Sequence, residues 1–283
     1  MQLKQIILAA FGISLTFLLF FFGKTRFPEG KPATPASAHR DAGLKGNTIS
    51  FNQILSLASQ NLNEDDAKNV SSLNEKLTAS KTKKDSIYIM KQLGRVWYAS
   101  QNYIVAGVFF EEAGKRENNV ALLDSASQSL AYGYTVTKDT NAMVFGAEKT
   151  LECFQRLRDL QPENLAYKIG YATTLIDGMG DVMNGVMLLK EVEKVEPDNI
   201  QMNLILGRLD IRNGELDKSI SHLNKVLKKD PENLYAYLYL AEAFKAKGNK
   251  SEQVNAMKHA RKLSDDAGLN HQLDEEIKIL SNK

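Results

Sequence analysis

Apolar residues recur three and four positions apart along nearly the whole chain from Ser50 onward, and no stretch alternates apolar with polar residues as a half-buried strand would. The pattern therefore predicts an all-α body. Its first helix opens on Ser50-Phe51-Asn52-Gln53, which has the form of a capping box, and is predicted to end near Asn61. A second opens after Asn63 on Glu64, Asp65 and Asp66, acidic residues that suit the positive end of a helix, with Ala67, Val70, Leu73 and Leu77 as its apolar stripe. Further along, helices are predicted over 121–134, 143–160, 165–176 and 182–195, and a last one runs from Leu269 to Ser281.

A longer period lies over the helical one. Pro197 and Pro231 stand 34 residues apart, and the residues that follow each recur at the same interval. The first stretch reads Asn203-x2-Leu206-Gly207-x2-Asp210, then Gly214, Ser219-x3-Leu223-x2-Val226 and Pro231. The second reads Tyr237-x2-Leu240-Ala241-x2-Phe244, then Gly248 and Gln253-x3-Met257-x2-Ala260. Met90-x2-Leu93-Gly94-x2-Trp97, Tyr103, Ala106-x3-Phe110 and Ala113 repeat the spacing upstream.

This pattern resembles the tetratricopeptide (TPR) repeat, with its aromatic, Leu-Gly, second aromatic, small residue, Phe and closing Pro. The resemblance implies a TPR-type α-solenoid, a right-handed superhelix of antiparallel helix pairs, over residues 49–283. The best repeats are 87–120, 165–199, 200–233 and 234–267, with a capping helix at 268–281. Gly94 and Gly207 are 113 apart, three periods and 11 residues. About ten of the extra residues are placed near Val136 to Ala142, in a lengthened connection through Thr135, Lys138, Asp139 and Thr140. Asn203 and Asp210 stand where the family has large or aromatic residues, which predicts a looser core there.

The first 23 residues are different material. Gln5 to Gly23 is uncharged and rich in Ile, Leu and Phe, long enough at about 1.5 Å per residue to cross the ~30 Å hydrocarbon core of a bilayer. Residues 1–23 are read as an uncleaved transmembrane anchor contacting lipid through 5–23. A cleaved signal is the competing reading, with Ala36-Ser37-Ala38 as the small-residue site, displaced well beyond the apolar run. Residues 24–48, with Pro28, Pro32 and Pro35 among Gly, Ala, Ser and Lys, read as a flexible linker. The location expected is a single-pass, bacterial-type inner or plasma membrane. Lys24, Arg26 and Lys31 after the span favour a cytoplasmic body, whereas a short basic tail before one span and a large domain favours export. The reading leans to the extracytoplasmic side.

Composition removes several function classes. Lys and Arg number 36 against 34 acidic residues, a formal charge of +2, so no strong field draws nucleic acid. The histidines His39, His222, His259 and His271 lack metal-binding spacing and read as exposed helix or linker residues. One cysteine, Cys153, cannot build a zinc quartet and reads as a small buried residue. Gly178, Gly180 and Gly185 fall between two helices, where glycine serves a turn; they do not have dinucleotide-loop spacing. No catalytic residues, cofactor or metal are expected.

By the resemblance, the first helix of each pair lines a concave groove. Its outward residues would be Lys91, Arg95 and Tyr98; Ile169 and Thr173; Leu204, Arg208, Ile211 and Arg212; and Tyr235, Leu238, Tyr239 and Glu242. Such a lining suits a protein or peptide partner with apolar anchors and some acidic character. The Lys-and-Asn clamp of chaperone-binding TPR domains is echoed only by Lys91, since Arg95 replaces the asparagine, so chaperone-tail binding is not expected. The function read from the sequence is a membrane-tethered interaction scaffold, with an accessory subunit of a membrane enzyme or of a secretion or assembly complex as the alternative.

Overall fold

A computed structural model describes residues 49–281. The apolar segment 5–23, the linker, Ala36-Ser37-Ala38 and His39 lie outside the described residues. Among the described residues no helix is long and apolar enough to cross a membrane.

The described chain holds thirteen α-helices and no strand. In order they are α1 (Phe51–Ser59), α2 (Glu64–Ala79), α3 (Lys83–Ala99), α4 (Tyr103–Glu117), α5 (Val120–Val136), α6 (Thr140–Leu160), α7 (Leu165–Thr173), α8 (Val182–Val195), α9 (Ile200–Arg212), α10 (Leu216–Lys229), α11 (Leu234–Ala246), α12 (Lys250–Leu263) and α13 (Ala267–Ser281). They fall into two compact units. One runs to Tyr167 and takes in Asp177–Gly180; the other comprises Lys168–Ile176 and the chain from Asp181 on.

Local chemistry starts the first two helices where the sequence indicates. The Ser50 hydroxyl accepts from Gln53 N at 3.3 Å while Ser50 N donates to Gln53 Oε1 at 2.8 Å, completing the capping box. Asn63 Oδ1 accepts from Asp66 N at 2.8 Å. A four-residue joint recurs three times, as Gln161-Pro162-Glu163-Asn164, Glu196-Pro197-Asp198-Asn199 and Asp230-Pro231-Glu232-Asn233. In each, the first residue's N–H closes the preceding helix on a carbonyl four back at 2.8 Å. The asparagine side chain then donates to the first residue's side-chain oxygen, at 3.2, 2.8 and 2.8 Å. Its Oδ1 accepts from the opening turn of the next helix, at 3.1, 3.0 and 3.0 Å. Proline fits because its position needs no donor.

Within the first unit, α4 packs between α3 and α5, and α5 packs on α6. Leu93, Trp97, Val105, Ala106, Leu130 and Cys153 are buried in its core. Gly94 lets α3 and α4 approach: a Cβ there would lie 2.4 Å from the ring of Phe110. In the second unit α9 pairs with α10 and α11 with α12, and α13 packs on α12 with Leu269 and Leu273 buried. A Cβ on Gly207 would meet Leu223 at 2.9 Å.

Three expectations need correction. The extra residues near Val136–Ala142 are not a long loop: α5 and α6 are 17 and 21 residues long, against 13 and 14 for α9 and α10, and only Thr137–Asp139 joins them. Asp139 starts α6 early by accepting from Asn141 N and Ala142 N at 2.8 and 3.0 Å. The helix expected over 165–176 is regular only to Thr173 and continues as a π-helical turn, Thr174–Gly178. There Thr173 and Thr174 turn their hydroxyls back onto the carbonyls of Ile169 and Gly170, which loosens the regular ladder. Gly185 is not a turn residue. It sits inside α8, where a Cβ would stand 2.7 Å from Ala172 O and 2.4 Å from Ile176, so glycine sets how closely α8 approaches these two residues.

The turns within pairs use left-handed backbone at Gly214 (φ +75°) and Gly248 (φ +74°), as their glycines predict. The matching position between α3 and α4 is Gln101, at φ 61°. A side chain costs about 1–2 kcal/mol in that region, partly offset for glycine by its looser unfolded chain. Gln101→Gly is therefore expected to stabilise the first unit by about 0.5–1 kcal/mol, read as a higher midpoint in urea unfolding. An unchanged or lower midpoint would show that the Gln101 side chain compensates locally.

Candidate functional site

The groove residues expected from the sequence fall in both units. In the first, Lys91 is not free for a ligand. Its Nζ lies 2.6 Å from Glu117 Oε2, and this hydrogen bond holds the exposed Glu117 carboxyl below its ordinary range. Arg95 is exposed. Tyr98, 40 % exposed, belongs to a cluster that the sequence reading missed. Its ring meets Tyr103 edge-on with centroids 5.2 Å apart, and Tyr103 meets Tyr132 in the same way at 4.6 Å. The rings come from α3, α4 and α5. Burial, then the neighbouring Tyr132 and Tyr98, raises the Tyr103 phenol above its ordinary value.

In the second unit the predicted lining is partly closed. Ile169, Leu238 and Arg208 are buried, Arg208 to 8 % exposure, so they form the floor of the surface and not its open wall. Arg208 and Arg212 share a helix face by spacing, but Arg212 is the last residue of α9 and stands in water. Both were expected to face outward into the groove; Arg212 does face solvent and Arg208 does not. Leu204, Ile211, Thr173, Tyr235, Tyr239 and Glu242 are half-buried.

Four of the predicted residues come within electrostatic reach of a neighbour in the set. Glu242 on α11 is raised above the ordinary carboxylate range by burial, with Lys245 and Arg208 of α9 opposing. Tyr235 is pushed up to about 12, by burial first and then by Tyr239 one turn on. This surface offers two phenol rings, a partly desolvated carboxyl and a buried guanidinium, with Arg212 at its edge. Chemically it suits amide and apolar groups of a peptide. Among the described residues no cluster of His, Cys, Asp or Glu is placed to hold a metal ion. Cys153 is buried, and burial drives its thiol well above the ordinary range, as a packing residue requires.

The two departures from the repeat pattern are joined by a histidine. Asn203, fully buried, donates through Nδ2 to Pro197 O at 2.9 Å and to Asn199 O at 2.8 Å. Its Oδ1 is thereby turned to His222 Nδ1, 2.7 Å away, which must be the protonated ring nitrogen. His222 Nε2 then lies 3.7 Å from Asp210 Oδ2. The expected looser core is a polar network between α9 and α10, and His222 is not the exposed residue predicted. Burial, then Lys225, lowers the His222 imidazole below its ordinary value; burial, then Glu215, raises Asp210. His259 stacks on Tyr237 at 4.8 Å, exposed like His271.

No protein-family model matches the chain, and no curated protein matches its sequence. Solved structures do. The chain is similar to a tetratricopeptide repeat protein from Parabacteroides merdae ATCC 43184, with 14 % identity, 82 % of this chain and 86 % of that chain covered, and a TM-score of 0.55. It is similar to TTC0263, a thermophilic TPR protein of Thermus thermophilus, with 19 % identity, 67 % and 97 % covered, TM-score 0.50. It is likewise similar to PilW, a widely conserved type IV pilus biogenesis factor, with 15 % identity, 68 % and 92 % covered, TM-score 0.50. At these identities the likeness is one of fold, and with the helix pairs, the recurring four-residue joints and the glycine turns it gives the chain a TPR-like, all-α fold.

Proposed function

We propose that the protein is a non-enzymatic interaction scaffold that holds a protein or peptide partner on the first-helix face of its second unit, tethered to a membrane by residues 5–23. The observation that carries the binding reading is the grouping of Tyr235, Tyr239 and Glu242 on one helix over the buried Arg208. Half-buried tyrosines lose little freedom on binding, and tyrosine and arginine dominate interface energetics. The tether rests on the uncharged run in the sequence, and the body is placed on the extracytoplasmic side. Fold neighbours that include a pilus biogenesis factor are in keeping with a scaffold.

The test is site-specific crosslinking of the full chain from a photoreactive residue at position 239, followed by affinity purification. With the partner in hand, Tyr239→Ala with Arg212→Ala is expected to weaken binding about tenfold or more, or ~1.4 kcal/mol, while the unfolding midpoint stays close to wild type. Loss of stability with binding intact would assign the pair to packing. Carbonate-resistant membrane association with an intact first residue would support the tether, and a mature chain beginning at His39 would refute it.

A further inference from the structure

Large apolar side chains left in water are concentrated on one helix. Met183, Met187 and Val195, all on α8, are 74, 60 and 71 % exposed, while Gly185, Leu189 and Val192 on its other side are buried in the second unit. At 3.6 residues per turn, Met183, Met187, Lys190 and Lys194 share a stripe about 60° wide, and Val195 stands about 80° outside its edge. Single exposed apolar residues are ordinary, but two methionines one turn apart make a contiguous patch. Their flexible, polarisable side chains suit a surface that must accept another molecule.

The charges around the patch point to the chemistry of that molecule. Both carboxylates of α8 are already answered: Glu191 by Lys168 at 3.0 Å, and Glu193 by Lys190 at 2.7 Å with Lys225 at 3.9 Å. Lys194 has no carboxylate within ion-pair distance among the described residues, so a positive charge stands unanswered on the same stripe, about two turns beyond Met187. From Met183 to Lys194 the stripe runs about 16 Å, three turns of helix.

We propose that this face of α8 docks an acidic amphipathic helix of a partner protein, with aliphatic side chains over Met183 and Met187 and a carboxylate on Lys194. The surface belongs to the second helix of a pair, whereas the binding face proposed above belongs to first helices. The two sites therefore stand or fall separately.

The test uses the full chain in a zwitterionic detergent, labelled with 13C at the methionine methyls. The probe is a synthetic 18-residue helix with leucines one turn apart and flanking glutamates; a second peptide carries lysine in place of each glutamate. The Met183 and Met187 methyl signals are expected to shift saturably with the acidic peptide, at a Kd at least tenfold lower than with the basic one. With binding read from the fluorescence anisotropy of a label on the peptide, Met183→Glu with Met187→Glu is expected to abolish binding of the acidic peptide, Lys194→Glu to reverse the charge preference, and Tyr239→Ala to leave both unchanged, all without a change in melting temperature. Several outcomes would overturn the proposal: no shift, an equal response to both peptides, or undiminished peptide binding by the double variant. A shift on adding phosphatidylglycerol vesicles without peptide would assign the face to a membrane, and one that follows protein concentration alone would assign it to a second copy of this chain.

Discussion

Lys115→Met is expected to destabilise the first unit by about 2–3 kcal/mol at pH 8. Glu111 lies fully buried on α4, with Oε1 2.6 Å from Lys115 Nζ and no protein partner for Oε2 among the described residues. Removing the ammonium leaves a buried carboxylate whose remaining charged neighbours are Lys149 and, unfavourably, Glu152. The expected loss is below the usual ~3–5 kcal/mol for breaking a buried pair because Lys115 is itself about one third exposed. Burial raises the Glu111 carboxyl above its unfolded value, with Lys115 opposing. Ionising it therefore costs the fold at high pH, and that cost fades as pH falls through the folded value. The deficit of Lys115→Met should accordingly narrow between pH 8 and pH 5 in urea unfolding, and the double variant Glu111→Leu with Lys115→Met should regain most of it. A deficit independent of pH, or one kept by the double variant, would assign Lys115 a packing role through its methylene stem.

His222→Leu is expected to cost about 1–3 kcal/mol at pH 7.5, because it leaves the buried Asn203 Oδ1 without its donor. The larger interest lies in the slope with pH. The folded His222 imidazole titrates below its unfolded value, so the fold prefers the neutral ring. Its contribution is present above the unfolded value of 6.5 and is lost as pH falls toward the folded one. Lys225, Lys190 and Lys218 face the ring and push in that direction, and Glu193 opposes them. Asp210 acts with opposite sign and lower in pH: its raised carboxyl takes up a proton early, relieving a burial penalty in the carboxylate range. Thermal unfolding of the wild type should therefore lose stability between about pH 7 and pH 5, and His222→Leu should flatten that slope. A variant that keeps the wild-type slope would place the titrating group elsewhere.

Much of the fold was legible because repeats write the same physics several times. Leu206-Gly207 and Leu240-Ala241 marked first helices, Gly214 and Gly248 marked turns, and Ser50 and Asn63 marked starts. What spacing could not settle was where extra residues go. Ten residues between two helices are the same count whether they form a loop or lengthen both helices, and only the cap at Asp139 decides. The groove was less legible. Arg208 and Arg212 share a face in any helical projection, yet one is buried and the other solvated, since burial depends on the neighbouring repeat and on where α9 ends. Tyr132 joins Tyr98 and Tyr103 only through packing of α5 on α4. The link between Asn203 and His222 crosses 19 residues, but both departures from the repeat pattern were visible, and two polar residues in aromatic positions signal a buried partner.

The joints at Pro162, Pro197 and Pro231 carry an implication for how such a chain can change length. Each is closed by the same backbone bond behind and the same asparagine cap ahead, which ask only a carbonyl and an N–H of the helices they link; the joint at Pro197 alone of the three is described with a further side-chain bond, from Asn203. A whole repeat is thus a cassette with matching ends: excising or duplicating the stretch from Pro197 to Asp230 leaves Glu196 or Asp230 bonded to a proline, as both already are. Variation in array length would then be limited by how well neighbouring helix faces fit, with no new joint chemistry to invent.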